Sequence, residues 1–332
     1  MVKLDWVRKI YDDSMHCAFT DMVRWNGWYY VAFRRAFAHG MVPFGDVFVI
    51  RSRDLGQWDV CGMLTTGFDD RDPAFVADDD RLWVYFYSRF AETALVDGRL
   101  HRIEGGAQRS QTYVSCTSDG VSWHVPVPVY KPDVWLWHPQ RFDDGFYCAA
   151  YETKADRAAR ELMLLRSDDA VDWRKVSTIQ ENNGGESFIV RDEDGRFMVV
   201  NRGALNEART DFLHADPPYV AWSGWRVAHG MQSPNVVRVA GRLIAAGRRS
   251  IVDPPDWYKA VTSIFEIDPE KQTTQRLLDL PSGGDTSYCG MVVENDGSIL
   301  LSYYSQHEYI SRPDFRHGQR PASIYLAKLS VG

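Results

Sequence analysis

This chain has few cysteines and no long apolar run, and its basic residues are outnumbered by its acidic ones. The five cysteines are scattered along 332 residues, and none forms a CxxC pair. An odd count without close spacing argues against a disulfide framework or a zinc site and favours free thiols. The formal charge of −7 argues against binding to nucleic acid or to an anionic membrane, because both require a basic surface.

The sequence also lacks the pattern of a signal peptide and that of a membrane span. The N-terminal MVKLDWVRKIYDDS has charges where a signal peptide would have an apolar run. No stretch is long and apolar enough to cross a bilayer. We therefore expect a cytoplasmic protein, or a secreted one if a signal was trimmed from the chain.

What the chain has in abundance is a repeated hairpin pattern. Six times, a short apolar strand, a tight Asp/Gly turn and a second apolar strand follow one another, and such turns are strong hairpin signals. The turns lie at Gly27, Asp80, Gly145, Gly195, Gly241 and Gly297, separated by 53, 65, 50, 46 and 56 residues. This spacing predicts an all-β, six-bladed β-propeller that forms one domain over residues 1–332. We expect the N-terminal LDWVRKIY to close the ring by pairing with the C-terminal IYLAKL.

Polar residues recur at two fixed distances from these turns, both at the open end of the hairpin. Seven positions after the turn are Arg34, Tyr87, Glu152, Arg202, Arg248 and Tyr304, and nine positions before it are Ala18, Arg71, Leu136, Glu186, Gln232 and Tyr288. Both sets are expected to face one rim of the propeller. Three arginines at one repeat position suit a carboxylate or another anion. Alternatively, each arginine pairs with a nearby acid, such as Glu152 or Asp285, and holds the blades together.

Glu186 and Tyr288 share one of these two positions. A phenol has an ordinary pKa of about 10, so it is a poor nucleophile at neutral pH unless a neighbouring carboxylate accepts its proton. The two residues are therefore a candidate nucleophile and base. They are equally compatible with a hydrogen bond that only satisfies two buried polar groups.

The order of these residues resembles that of the sialidases, exo-glycosidases that remove terminal nonulosonic acids. That family has a six-bladed propeller, an arginine cluster for the substrate carboxylate and a tyrosine nucleophile activated by glutamate, an exception to the two-carboxylate scheme of glycosidases. Here an early arginine is followed by Glu186, Arg202, Arg248 and Tyr288. The resemblance implies that Tyr288 is the nucleophile and Glu186 its base, and that Arg34, Arg202 and Arg248 bind the carboxylate.

Three segments resemble degenerate Asp boxes, which are turns on the outside of the family's blades and take no part in catalysis. They begin at Ser52, Cys116 and Ser167, and each leads to a tryptophan, at Trp58, Trp123 and Trp173. The last blade, SGGDTSYCGMVVENDGSILLSYYSQHE, is similar to that of a bacterial sialidase-like subgroup. The resemblance therefore extends over almost the whole chain.

The chain also departs from the family pattern in the first blade. Ala18 stands where the family's Arg-Ile-Pro would place an arginine, so we expect Arg34 or Arg35 on the partner strand to reach the pocket. The family's catalytic Asp lies in a loop that here reads AFAHGMVPFGD, which offers His39 and Asp46.

Other polar residues are further candidates. His39 titrates near neutrality and suits a proton donor, unless it is a solvated loop residue. Asp72 is the alternative acid or base, unless it caps its strand. Tyr304 stands at the position of a family Glu, with Glu308 close by. The remaining candidates for substrate contacts, or for hydrogen bonds between blades, are Arg71, His138, Asp285, Tyr304 and His307.

Three functions fit these observations. The first is an exo-acting hydrolase for a terminal sialic or related nonulosonic acid, with His39 or Asp72 as proton donor. The second is a polysaccharide lyase for uronic acids, in which arginines neutralise the carboxylate while Tyr and His serve as base and acid. The third is a propeller that binds acidic glycans without catalysis, because fold does not determine function. The expected partner is an acidic glycan, and none of the three functions requires a cofactor or a metal.

Overall fold

The computed structural model describes residues 1–40, 42–96, 99–103, 108–202, 209–256 and 258–332. Its strands form six antiparallel groups of four, which are the six blades of a propeller. A single bridge between Gly45 and Asp69 links the first two blades. The described residues contain no helix long and apolar enough to cross a membrane. The all-β propeller predicted from the hairpin spacing is confirmed.

The strands are numbered in chain order, and each blade begins at its innermost strand. The last blade takes its outermost strand, β1, from the N-terminus, and a separate hairpin of β8 and β9 projects from the second blade. Their bounds are β1 (Val2–Tyr11); β2 (His16–Trp25), β3 (Trp28–Ala36), β4 (Gly45–Ser52) and β5 (Asp59–Leu64); β6 (Asp69–Ala77), β7 (Leu82–Ala91), β8 (Thr93–Val96), β9 (Arg99–Arg102), β10 (Gln108–Thr117) and β11 (Val127–Val129); β12 (Val134–Phe142), β13 (Gly145–Glu152), β14 (Leu162–Ser167) and β15 (Trp173–Gln180); β16 (Ser187–Arg191), β17 (Phe197–Asn201), β18 (Thr210–Ala215) and β19 (Ser223–Val227); β20 (Gln232–Val239), β21 (Arg242–Ser250), β22 (Ala260–Asp268) and β23 (Thr273–Asp279); β24 (Thr286–Val293), β25 (Ile299–Ser305) and β26 (Ser323–Val331).

The hydrophobic core lies between blades rather than in one central mass. Six buried apolar clusters each join two neighbouring blades, including one between the sixth blade and the first. β1 pairs antiparallel with β26, as the terminal segments predicted. Each blade therefore buries both of its faces, which is why the strands are apolar on both sides rather than alternating.

The innermost strands carry a repeated β-bulge near the rim where the hairpins open. In β2, β6, β12, β20 and β24, one extra residue interrupts the pairing with the second strand. A bulge of this type bends the strand and redirects a side chain. The bulged residues all have positive φ, between 43° and 60°, and they are Phe19, Asp72, His138, Ser233 and Tyr288.

The three segments that resemble Asp boxes connect the third and fourth strands of the first three blades. In each turn, one oxygen of an aspartate accepts hydrogen bonds from two backbone N–H groups, and a Ser or Thr hydroxyl lies beside it. The aspartates are Asp54, Asp119 and Asp169. These contacts stabilise turns between the two outer strands of each blade, and the innermost strands take no part in them.

Candidate active site

A cavity of about 670 Å³ lies at the rim where the innermost strands carry their bulges. Its size falls within the roughly 300–1,000 Å³ of small-molecule sites. Eight of the residues singled out in the sequence line it, namely His39, Arg71, Asp72, Glu186, Arg202, Arg248, Asp285 and Tyr288. The eight residues come from the second, fourth, fifth and sixth blades and from one loop of the first blade.

Glu186 and Tyr288 are in direct contact within this cavity. The Tyr288 hydroxyl donates a hydrogen bond to Glu186 Oε1 at 2.9 Å, although the two residues lie in the fourth and sixth blades. Arg202 forms an ion pair with Glu186, and Ser233 donates to its Oε2. Tyr288 owes its position to the bulge in β24, where its φ is 52°. A residue other than Gly with positive φ costs on the order of 1–3 kcal/mol, and such residues cluster at functional sites.

The surroundings set the charge states of this pair. Burial, and then the charge of Glu186, raise the pKa of Tyr288 well above its ordinary value, so the phenol keeps its proton at rest. Burial alone would raise the pKa of Glu186, but the charge of Arg202 and the hydrogen bond from Ser233 lower it below its ordinary value. Glu186 is therefore a carboxylate ready to accept a proton from Tyr288.

Asp285 organises a second group of polar side chains beside Tyr288. It accepts hydrogen bonds from the Tyr304 hydroxyl at 2.7 Å, and His16 and His39 lie 2.9 and 2.6 Å from its other oxygen. Burial alone would raise its pKa, but interactions with the two histidines hold it well below the ordinary value. Arg248 contacts two members of this group, because its guanidinium lies 3.6 Å from Asp285 and 3.0 Å from the Tyr304 hydroxyl.

Asp72 and His39, the two candidate proton donors, have different electrostatic environments. Asp72 accepts a hydrogen bond from Arg71 Nε at 3.0 Å. Burial raises its pKa to about 6, with Arg71 opposing the shift and Glu186 adding to it. Burial lowers the pKa of His39 to about 4, despite its contact with Asp285. Below about pH 6 Asp72 therefore retains its proton, whereas the His39 imidazole is neutral above about pH 4, so the charge states favour Asp72 as a proton donor.

His16, His39 and Asp285 are also the kind of side chains that bind metals. One ligand atom of each lies within 4.8 Å of the others. Each histidine already has a hydrogen bond to Asp285, and the cationic Arg248 is next to the same carboxylate. The nitrogens that face Asp285 are thus already engaged by its carboxylate.

The prediction that Arg34 or Arg35 reaches the pocket is wrong. Arg34 is fully buried behind the rim, where it donates to Asp69 Oδ1 at 2.8 and 2.6 Å and to the Ala38 carbonyl at 2.7 Å. Arg35, whose side chain alternates to the other face of β3, pairs with Asp13. The third arginine beside Arg202 and Arg248 is instead Arg71, which the bulge of β6 brings into the cavity.

Three other sequence candidates also lie outside the cavity. Tyr304 is completely buried and acts only through Arg248 and Asp285. His138 faces a smaller cavity of about 290 Å³, lined by residues farther along the innermost strands. His307 is half-buried, contacts the Ser305 hydroxyl at 2.9 Å and packs on Tyr325, and Glu308 pairs with Lys9. These positions do not support substrate contacts for His138 and His307.

Sequence reasoning missed several residues of the site. Phe19, the bulged residue of the first blade, packs its ring 4.8 Å from that of Tyr288 and 4.9 Å from that of His39. His16 and Ser233 bind the two carboxylates described above. Four arginines of the second and third blades also line the cavity, namely Arg89, Arg109, Arg157 and Arg160. Of these residues, only Arg157 and Arg160 give a sequence signal, because they lie with Lys154 in a short segment rich in basic residues after the third hairpin.

Comparisons by sequence identify no relatives for this chain. No family model matches it. No curated protein matches it either. The similarity of this chain to known proteins is therefore one of fold.

Many solved structures share this fold. A Dyadobacter fermentans protein described as of unknown function aligns with a TM-score of 0.77 at 15% identity, covering 100% of this chain and 99% of that one. A Trypanosoma rangeli sialidase bound to the inhibitor DANA aligns at 0.70 and 10% identity, covering 96% of this chain and 55% of that one. The intramolecular trans-sialidase of Ruminococcus gnavus, bound to oseltamivir carboxylate, aligns at 0.67 and 11% identity, covering 96% of both chains.

The structural matches establish the fold, and the identities are too low to transfer activity. This chain spans a little more than half the length of the trypanosomal sialidase. The propeller alone is therefore the shared part. The resemblance to the sialidase fold stated from the residue order is confirmed at the level of architecture.

Proposed function

We propose that this chain, which has the fold of the sialidases, is an exo-acting glycoside hydrolase that releases a terminal acidic sugar such as a sialic or related nonulosonic acid. The observation that carries the proposal is the hydrogen bond from Tyr288 to Glu186 inside a cavity lined by arginines. A neutral phenol beside a carboxylate and several guanidinium groups suits covalent catalysis on an anionic sugar.

The arginines Arg71, Arg202 and Arg248 would bind the sugar carboxylate. They come from the second, fourth and fifth blades and line one cavity. A guanidinium offers a planar fork of donors that matches a carboxylate. Arg248 also lies 5.0 Å from the centre of the Tyr288 ring, so a carboxylate on Arg248 brings the sugar close to the nucleophile.

In the first step, the Tyr288 oxygen would form a bond to the anomeric carbon as the bond from that carbon to the leaving oxygen breaks. Glu186 accepts the phenol proton, and Asp72 gives its own proton to the leaving oxygen. Because the pKa of Glu186 is lowered and that of Tyr288 raised, the proton moves only as the new bond forms. Water then attacks the anomeric carbon and gives a proton to the Asp72 carboxylate. The bond from that carbon to the Tyr288 oxygen breaks, and Glu186 returns its proton to the Tyr288 oxygen.

A screen of acidic glycans tests the proposal. We expect the protein to release free sugar from glycosides of nonulosonic acids, and Tyr288→Phe to lower kcat by at least about 1,000-fold while ligand binding persists. Tyr147→Phe is the matched control, because it also removes a hydroxyl bonded to a carboxylate, that of Asp144 at 2.8 Å, outside the cavity.

Three other outcomes of the screen would contradict this proposal. Full activity of Tyr288→Phe would exclude the nucleophile. Unsaturated products from uronide oligosaccharides would identify a lyase. Saturable binding of acidic glycans without any turnover would identify a binding protein.

A further inference from the structure

The cavity holds more positive charge than one carboxylate requires. Seven arginines line it, against four acids, Asp72, Asp133, Glu186 and Asp285. Three of the arginines, Arg71, Arg202 and Arg248, were assigned above to the sugar carboxylate. Among the other four, Arg89 on β7 and Arg157 and Arg160 in the segment between β13 and β14 form what we call the blade 2–3 arginines.

The arginines assigned to the sugar already have acidic neighbours. Arg202 pairs with Glu186, Arg71 with Asp72 and Arg248 with Asp285. Burial alone would lower their pKa values, but the neighbouring acids and phenols raise each above the ordinary value. The protein itself thus compensates much of the charge in this half of the cavity.

The blade 2–3 arginines have no such compensation. Within the part of the chain that the structure describes, none of the three forms an ion pair, although Arg160 donates to the Lys154 carbonyl at 2.8 Å. Burial, together with neighbouring arginines, lowers the pKa of all three: Arg71 repels Arg89, and Arg202 repels Arg157 and Arg160. Asp133, the acid in this half, accepts hydrogen bonds from Ser110 instead.

These arginines adjoin a stack of aromatic rings. Tyr87 stacks on Trp135 with 3.8 Å between ring centres, and Trp135 stacks on Tyr151. Arg89 lies 5.7 Å from the centre of the Trp135 ring, and Arg160 lies 5.9 Å from that of Tyr151. A guanidinium that faces an aromatic ring keeps the donors on its edge for an anion.

We propose that the blade 2–3 arginines bind a second anionic group, a carboxylate, sulfate or phosphate, on the part of the substrate that departs with the leaving oxygen. Clustered, partly buried cations that repel one another are stabilised by an anion that enters between them. The inference rests on the proposed function, in which Asp72 gives its proton to the leaving oxygen. Asp72 pairs with Arg71, both act electrostatically on Arg89, and Arg89 acts on Arg160, so the blade 2–3 arginines lie toward the leaving group. It makes the substrate a glycan with acidic groups on both sides of the cleaved bond.

Kinetics with paired substrates test this subsite. The substrates carry the same terminal acidic sugar and differ in the leaving group, which is neutral or bears a carboxylate, a sulfate or a phosphate. We expect the wild-type protein to prefer a charged leaving group, and Arg157→Gln/Arg160→Gln to lower the ratio of kcat/KM for charged over neutral substrates about tenfold or more, through KM. Arg89→Gln should act in the same direction.

The control is Arg174→Gln. Arg174 lies on β15, is exposed and donates to Asp168, outside the cavity. It should leave the ratio unchanged. The three charged leaving groups distinguish which oxyanion is preferred. An unchanged ratio in both Arg157→Gln/Arg160→Gln and Arg89→Gln would overturn the proposal.

A binding measurement separates this proposal from the hydrolase itself. We would titrate the protein with inorganic sulfate at constant ionic strength by calorimetry. The wild type and Arg174→Gln should show a sulfate site that Arg157→Gln/Arg160→Gln lacks, whether or not any glycoside is hydrolysed. Equal sulfate binding by all three proteins would refute the second anion subsite, and lack of turnover with the site intact would refute only the hydrolase.

Discussion

Burial shifts the pKa of every acidic, phenolic and imidazole group discussed in the cavity, and charged neighbours decide whether that shift prevails. Burial keeps Tyr288 protonated, His39 neutral and Asp72 protonated in mildly acidic solution, with pKa values of about 4 for His39 and about 6 for Asp72. Glu186 remains a carboxylate because Arg202 outweighs its burial. One acid with a raised pKa and one carboxylate with a lowered pKa can serve as proton donor and acceptor in the same reaction.

A pH profile tests the role of Asp72. Because an acid catalyst acts in its protonated form, kcat/KM should fall as the pH rises above about 6, the pKa of Asp72. Asp72→Asn should lower kcat/KM at pH 5 by about 100-fold or more and remove this decline. His39→Gln is the control, because a group with a pKa of about 4 does not titrate in that range. A decline that persists in Asp72→Asn would show that another group is the acid.

Single residues show how far the sequence could specify the site. Tyr288, Glu186 and three arginines of the cavity were candidates because they lie at fixed distances from hairpin turns. Arg34 occupies the same repeat position as Arg202 and Arg248, yet Asp69 and the Ala38 carbonyl satisfy its donors away from the cavity. The acid that pairs with Arg34 comes from the next blade, and no spacing within one hairpin reveals such a contact.

The innermost strands explain where the polar groups converge. Five of the six carry a bulge at the same place, and its residue is Tyr288 in one blade and Asp72 in another. The fourth blade has no such bulge in β16, and Glu186 immediately precedes that strand. The positions of these site residues therefore depend on how the innermost strands pack against one another.

This packing makes a prediction for Gly290, two residues after Tyr288 in β24. A Cβ at this position would lie 2.5 Å from the Asp21 carbonyl carbon and 2.7 Å from the Asp21 Cα, both backbone atoms of β2. Because backbone cannot move aside as a side chain can, Gly290→Ala should lower the free energy of unfolding by about 3 kcal/mol. Denaturant unfolding measures this change.

Gly56→Ala is the control, because a Cβ there would meet only the Asp54 carboxylate, at 3.4 Å or more. Its free energy of unfolding should differ little from that of the wild type. Equal stability of the two variants would contradict the close packing of β24 on β2.

The hairpins themselves were predictable, whereas their exact register was not. Turn chemistry and alternating apolar runs locate all six. The fixed count from the turn nevertheless misaligns two of them, since Glu152 pairs with Val134 rather than Leu136, and Tyr304 pairs with Ser287 rather than Tyr288. Turn lengths differ among blades, and a bulge adds a residue without any characteristic sequence.

At the scale of the whole molecule, the net charge of the chain does not reveal the electrostatic potential inside the cavity. The chain has a net charge of −7, yet its cavity is lined by seven arginines and four acids. A cleft lined mainly by one sign of charge attracts ligands of the opposite sign whatever the net charge of the protein. The negative net charge of the chain therefore gave no indication that the cavity would be lined mainly by basic residues.

The six-bladed architecture was the part of the molecule most open to prediction. Six similar hairpins at regular spacing require six similar blades, and the terminal strands β1 and β26 pair as expected. The order of the site residues along the chain also matched the sialidase pattern. Contacts between blades, such as Arg34 with Asp69 or His16 with Asp285, depend on the assembled ring and lie beyond any local pattern.

If Tyr288 is the nucleophile, the reaction passes through a sugar bonded to its oxygen, and this intermediate can be trapped. The protein is mixed with a slowly hydrolysed fluorinated analogue of its sugar, quenched in acid, digested and analysed by mass spectrometry. We expect a glycosyl adduct on the Tyr288 side chain, and none in Tyr288→Phe. An adduct on Glu186 or Asp72, or a first product of inverted configuration, would contradict this role of Tyr288.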